Sequence, residues 1–115
     1  MIFGIGCDIV DINRIAASIN EFGDRFLNRV FTEEEIKRAP DEKHNYYSYF
    51  AKRFAAKESF AKAMKTGVGH GLSFKDIEIL NDENGMPYFN LPEYKTHLSI
   101  SDEHPYAIAY VVIEK

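Results

Sequence analysis

The order of hydrophobic patterns predicts an α+β fold: a leading strand, a run of helices with one long central helix, and a closing antiparallel sheet packed against them. Three observations carry this. Ile2 to Ile12 alternates as a strand does; Arg53 to Met64 holds no Gly or Pro and is rich in Ala, Lys and Glu; and two pairs of short β-prone runs, each split by turn residues, follow position 73. At 115 residues, 45% hydrophobic and 14% aromatic, the chain suits one domain over residues 1–115 with a modest core.

Composition also sets expectations about class. No apolar run of about 18 residues is present, so no membrane span is expected, and Met1-Ile2-Phe3-Gly4 lacks the basic region of a signal peptide. Cys7 stands alone, which excludes an internal disulfide and fits a reducing cytoplasm. A net charge of −4 argues against a general nucleic-acid binder, although a local basic patch is compatible with it.

In the leading strand, Phe3, Ile5, Cys7 and Ile9 share one side, while Ile2, Gly4, Gly6 and Asp8 share the other. Two glycines beside a carboxylate imply close approach by a backbone or a ligand, with a bulge or tight core packing as the plainer reading. Asp11 is placed as the N-cap of a short helix striped by Ile12, Ile15, Ala16 and Ile19. Gly23 and Asp24 interrupt it, and Phe26, Leu27 and Val30 resume a helical pattern that sets Arg14, Arg25 and Arg29 on one exposed surface. Thr32 with Glu33, Glu34 and Glu35 reads as a capping box, which makes those glutamates structural. Ala39-Pro40-Asp41 ends that helix.

His44 to Tyr47 leads into the long helix. On a wheel of roughly 100° per residue, Ala56, Phe60, Ala63 and Met64 form its core arc, yet Arg53 and Lys57 fall within or beside that arc. Two cations there need a reason. Glu58 and Lys62, one turn apart, lie on a neighbouring face beside Phe54; the bland account is an exposed i, i+4 pair worth about 0.3 kcal/mol. The loop Thr66-Gly67-Val68-Gly69-His70-Gly71 follows; it matches no nucleotide fingerprint and reads on spacing alone as a flexible connection. Phe74 to Leu80 and Pro87 to Leu91 form a hairpin with Asn84-Gly85 in its bend, and Leu98 to Ser101 pairs with Tyr106 to Ile113 around Asp102 to Pro105.

These residues carry a family resemblance over nearly the whole chain. Gly6-Cys7-Asp8-Ile9-Val10 with Arg14, and Arg53-Phe54-Ala55-Ala56-Lys57-Glu58-Ser59 with Lys62-Ala63, resemble the two signatures of the holo-[acyl-carrier-protein] synthases, the short members of the 4′-phosphopantetheinyl transferase superfamily. Thr66-Gly67, Phe74 to Glu78, Asn84 to Pro87 and Leu98 to Ser101 agree in order and spacing. The resemblance implies that superfamily's fold and the transfer of phosphopantetheine from coenzyme A to a serine of apo acyl carrier protein, releasing adenosine 3′,5′-bisphosphate. It implies Mg²⁺ on Asp8 and Glu58; Lys62 at the leaving phosphate; and Glu58, through a water, as the base for the serine proton. Arg53, Lys62, Thr66 and Gly67 would contact coenzyme A, and Arg14, Arg25 and Arg29 would meet the acidic carrier. A cytoplasmic homotrimer with sites between subunits, serving fatty acid or polyketide carriers in lipid metabolism, is the further implication.

Three departures qualify the match. Lys65 stands where the family usually has glycine, Asp102 where many members have histidine after Ser-Ile-Ser, and Leu91 to His97 is too short for the helix usually found there. Two other classes share the same residues. A Mg²⁺-dependent phosphohydrolase would use Asp8 and Glu58 with water as nucleophile, and a non-catalytic carrier-protein-binding module would keep binding when either carboxylate is lost.

Overall fold

The computed structural model describes residues 1–115. Strand β1 (Ile2–Asp11) forms one edge of a three-stranded antiparallel sheet in which β5 (Tyr106–Glu114) is central and β4 (Lys95–Glu103) is the other edge. Between β1 and the sheet's other strands the chain runs through α1 (Ile12–Phe22), α2 (Asp24–Val30), α3 (Glu33–Lys37) and α4 (Lys43–Ala63). A small separate hairpin, β2 (Ile79–Asn81) with β3 (Pro87–Phe89), follows.

Each helix start has a local cause. Asp11 accepts the Asn13 amide at 2.9 Å and opens α1, and Thr32 with Glu35 completes the capping box of α3. Glu42 accepts the amides of His44 and Asn45, so α4 begins one residue before His44.

The 21-residue α4 lies across the sheet and is the centre of the core. Its Ala55, Ala56, Phe60 and Ala63 join Ala107, Ala109, Val111 and Ile113 of β5 in one buried cluster. Small residues on both sides let helix and sheet approach closely. Phe31, Phe50 and Phe60 are fully buried, each worth about 1.5–3 kcal/mol of burial. The register places Gly6 opposite Val111, Cys7 opposite Tyr110 and Asp8 opposite Ala109.

Two expectations about strands change. Phe74–Asp76 is a 3-10 turn rather than strand, because the Asp76 carboxylate reaches back to the amide and hydroxyl of Ser73; the ladder begins only at Ile79. Strand β4 starts at Lys95, before Leu98, since pairing with β5 extends to Glu114. Residues 91 to 94 make only a turn, as their number required.

The face of the sheet turned away from α4 is apolar and uncovered. Ile5 and Ile9 of β1 are 70% and 61% exposed, and Tyr106 and Tyr110 of β5 are 51% and 58% exposed.

Candidate active site

The site begins with two missing side chains. A Cβ on Gly4 would lie 1.9 Å from the Ala63 carbonyl oxygen, and one on Gly6 would lie 1.9 Å from that of Ser59. The glycines therefore serve the helix backbone rather than a ligand, which resolves the alternative left by the sequence. Because α4 seats directly on β1, Asp8, two residues beyond Gly6 on the same face, meets the polar stripe of the helix. Ser59 closes the seam by donating its hydroxyl to the Ala109 carbonyl at 3.1 Å.

Lys62 donates to Asp8 Oδ1 at 3.1 Å and to the Cys7 carbonyl at 3.0 Å. One turn earlier, Glu58 is half-buried. Burial pushes its carboxyl above the ordinary range, the Asp8 charge adds to this, and Lys62 and Arg14 oppose it. The structure thus gathers Asp8, Glu58, Lys62 and Arg14 from three elements. Two carboxylates held close, one of them destabilised by the other, form an all-oxygen donor set with few protein ligands. That fits Mg²⁺, which completes its shell with water and substrate phosphate oxygens.

Thr66 and Gly67 stand one turn beyond Lys62, where α4 ends. The Gly67 amide donates to the Ala61 carbonyl at 3.1 Å, and Gly67 has φ +71°. Lys65 just before it has φ +69°, a left-handed conformation that costs an L-residue roughly 1 kcal/mol. Glycine, the residue that the family resemblance leads one to expect here, would adopt this conformation without that cost. The Lys65 ammonium lies 4.7 Å from the Phe3 ring centroid, not on a carboxylate.

Arg53 does not join this cluster. Five residues before Glu58, it points about 140° round the helix, where it is 5% exposed. Its guanidinium stacks on Tyr49 at 3.7 Å and donates to Asn81 Oδ1 at 2.6 Å, while Nε has no partner. Arg25 and Arg29 line a cavity of about 360 Å³ with Ser18, Phe22 and Phe26, between α1 and α2. Arg14 is not among its walls. Asp102 pairs with Lys52 at 3.2 Å, so the departure at this position carries a salt bridge of its own.

The pair that sequence reasoning missed is Lys57 with Glu35. Both are fully buried and 2.8 Å apart. Burial pulls the Lys57 amine below its ordinary range and Glu35 opposes the shift. The signal was present: a lysine on an apolar arc requires a counter-charge, and a capping-box glutamate was available.

Comparison with known proteins gives a consistent picture. The model of the 4′-phosphopantetheinyl transferase superfamily matches residues 4–111. A holo-[acyl-carrier-protein] synthase of a Wolbachia species from Drosophila simulans is 49% identical over 118 aligned positions, covering 98% of each chain. Among solved structures, the holo-[acyl-carrier-protein] synthase of Neisseria meningitidis aligns with TM-score 0.88 at 40% identity over 100% of both chains. That of Bacillus anthracis, in complex with coenzyme A (3′,5′-ADP), aligns with TM-score 0.85 at 41% identity, covering 98% of this chain and 96% of the other.

Proposed function

The chain belongs to the 4′-phosphopantetheinyl transferase superfamily, and from this we infer that it is a holo-[acyl-carrier-protein] synthase, moving phosphopantetheine from coenzyme A to a serine of apo acyl carrier protein. The observation that carries the reading is the convergence of Asp8, Glu58 and Lys62 where β1 and α4 meet, because it joins the two sequence signatures in one site.

In the reaction the serine Oγ forms a bond to the β-phosphorus, the bond to the bridging oxygen breaks, and adenosine 3′,5′-bisphosphate leaves. When bound at Asp8 and Glu58, Mg²⁺ supplies positive charge to the pyrophosphate. Lys62 Nζ, already beside Asp8, adds charge or a proton at the departing phosphate oxygen. Glu58, acting through a water, takes the serine proton. Thr66 and Gly67 offer a hydroxyl and a backbone turn to coenzyme A. Arg53 carries a buried charge with no salt bridge, which supports its retention as a contact for a phosphate or a neighbouring subunit's carboxylate.

Arg14 on α1 and Arg25 and Arg29 on α2 are assigned to docking of the acidic carrier, cations on a chain whose net charge is −4. The bare apolar sheet face formed by Ile5, Ile9, Tyr106 and Tyr110 supports a homotrimer. Sedimentation equilibrium tests it, and an active 13.2 kDa species would remove it. No helix is long and apolar enough to cross a membrane; the cytoplasm and the lipid-synthetic role of the carrier are part of the proposal.

The direct test is a mass spectrum of apo acyl carrier protein after incubation with the protein, coenzyme A and Mg²⁺. Addition of one phosphopantetheine supports the assignment. Cleavage of coenzyme A without a modified carrier would favour the hydrolase instead.

A further inference from the structure

Resting on the assignment above of the segment after α4 to coenzyme A, we propose that Lys57 is a positioning residue, which together with Glu35 fixes the far end of that segment so that Thr66 and Gly67 are held ready for the cofactor. The near end of the segment is fixed by the helix itself, through the Gly67 amide on the Ala61 carbonyl. The far end has no strand to hold it until Ile79, only the single 3-10 turn Phe74–Asp76. Lys57 supplies the hold: its Nζ donates to the Phe74 carbonyl at 2.9 Å and to the Ile77 carbonyl at 2.8 Å, and its third donor goes to Glu35.

Glu35 does more than balance the charge. It accepts the Ile79 amide at 2.8 Å and the Thr32 amide at 2.9 Å, so α3, α4, the 3-10 turn and β2 meet at one ion pair. The Phe74 ring, thereby placed, packs on Phe54 at 5.3 Å between centroids, one turn from Glu58. Between the two fixed ends the chain has wide conformational freedom, since Gly67, Gly69 and Gly71 all have positive φ. Its own backbone bond there is Gly69 to Leu72, at 2.9 Å. The ends therefore decide where the middle lies.

A buried ion pair contributes little net stability compared with an apolar pair of similar volume. Its distinctive contribution here is geometric, because an apolar side chain at position 57 cannot bind two carbonyls.

The test uses Lys57→Met alone and combined with Glu35→Gln; the combination removes both charges while leaving an acceptor for the Ile79 amide. The double variant is expected to fold, to load carrier at saturating coenzyme A within about threefold of the parent rate, and to show a KM for coenzyme A raised roughly tenfold, the KM for carrier being unchanged. Amide exchange over residues 66–76 should quicken while that of β1 stays as in the parent. A folded double variant with the parental KM and parental exchange overturns the proposal, as does a loss confined to kcat. A second measurement needs no variant: in the parent protein the Ile79 amide should exchange as slowly as the core amides of α4, and rapid exchange there also overturns it. Failure of the parent itself to load carrier would count against the functional assignment, a different result.

Discussion

Gly6 of β1 runs so closely beneath Ser59 of α4 that a methyl group on Gly6 would lie 1.9 Å from the Ser59 carbonyl oxygen. This contact is between backbones, and the only side chain it tolerates is hydrogen. It sets the separation of Asp8 from Glu58, each of which lies within two residues of it in sequence.

Gly6→Ala should therefore act on stability and chemistry together. Relieving the clash requires strand and helix to separate, at a cost of at least about 2 kcal/mol in urea unfolding. The same displacement should lower kcat roughly a hundredfold in whatever fraction remains folded. Parental activity in a folded Gly6→Ala variant would show that the seam does not position the carboxylates.

Arg14 opens toward the same site from α1 and is felt electrostatically at Glu58. Arg14→Glu should raise the KM for carrier protein roughly tenfold and leave the KM for coenzyme A unchanged, and the parent's association rate should fall with added salt. Stopped-flow association at several ionic strengths checks this; a rate indifferent to salt would remove the electrostatic account of docking.

Acid should weaken α4 from its start. The amides of Asn45 and His44 hold the Glu42 carboxyl below its ordinary value of 4.5. A depressed carboxyl contributes stability above that value and loses it as pH falls through the lowered pKa. Glu42→Ala should thus lower the melting temperature at pH 7, by an amount that shrinks on acidification below the ordinary carboxylate range. An unchanging difference in thermal scans across pH would contradict the cap.

How far the sequence revealed all this depended on whether the governing interaction was local. The alternation read over Ile2 to Ile12 and the caps at Asp11 and Thr32 are written in neighbouring residues, and they appear as read except that the strand ends at Asp11, where the cap opens α1. The signatures around Asp8 and Glu58 were legible because unusual residue types stand at informative positions, glycine in a strand and charge on a helix. Phe74–Asp76 misled because Asp76 binds back to Ser73, a choice that β propensity does not encode. The partner of Lys57 was overlooked for a different reason: Glu35 already had a sufficient local role as a cap, and tertiary packing adds Lys57 to the capping oxygen and the Ile79 amide to the other. Arg53 shares a sequence motif with Glu58, but helical periodicity turns it toward Tyr49 and Asn81 and not toward Asp8.

The central claim is that Asp8 and Glu58 act as a unit on one ion and one reaction. The measurement that tests it most directly is the rate of carrier loading, followed by mass, for Asp8→Ala, Glu58→Ala and the double variant. Each single change should reduce transfer to near background, the double should be little slower than the worse single, and all three should remain folded, since removing either carboxylate relieves the like-charge repulsion that adds to burial in raising the Glu58 pKa. Independent losses that multiply in the double variant would contradict a shared site.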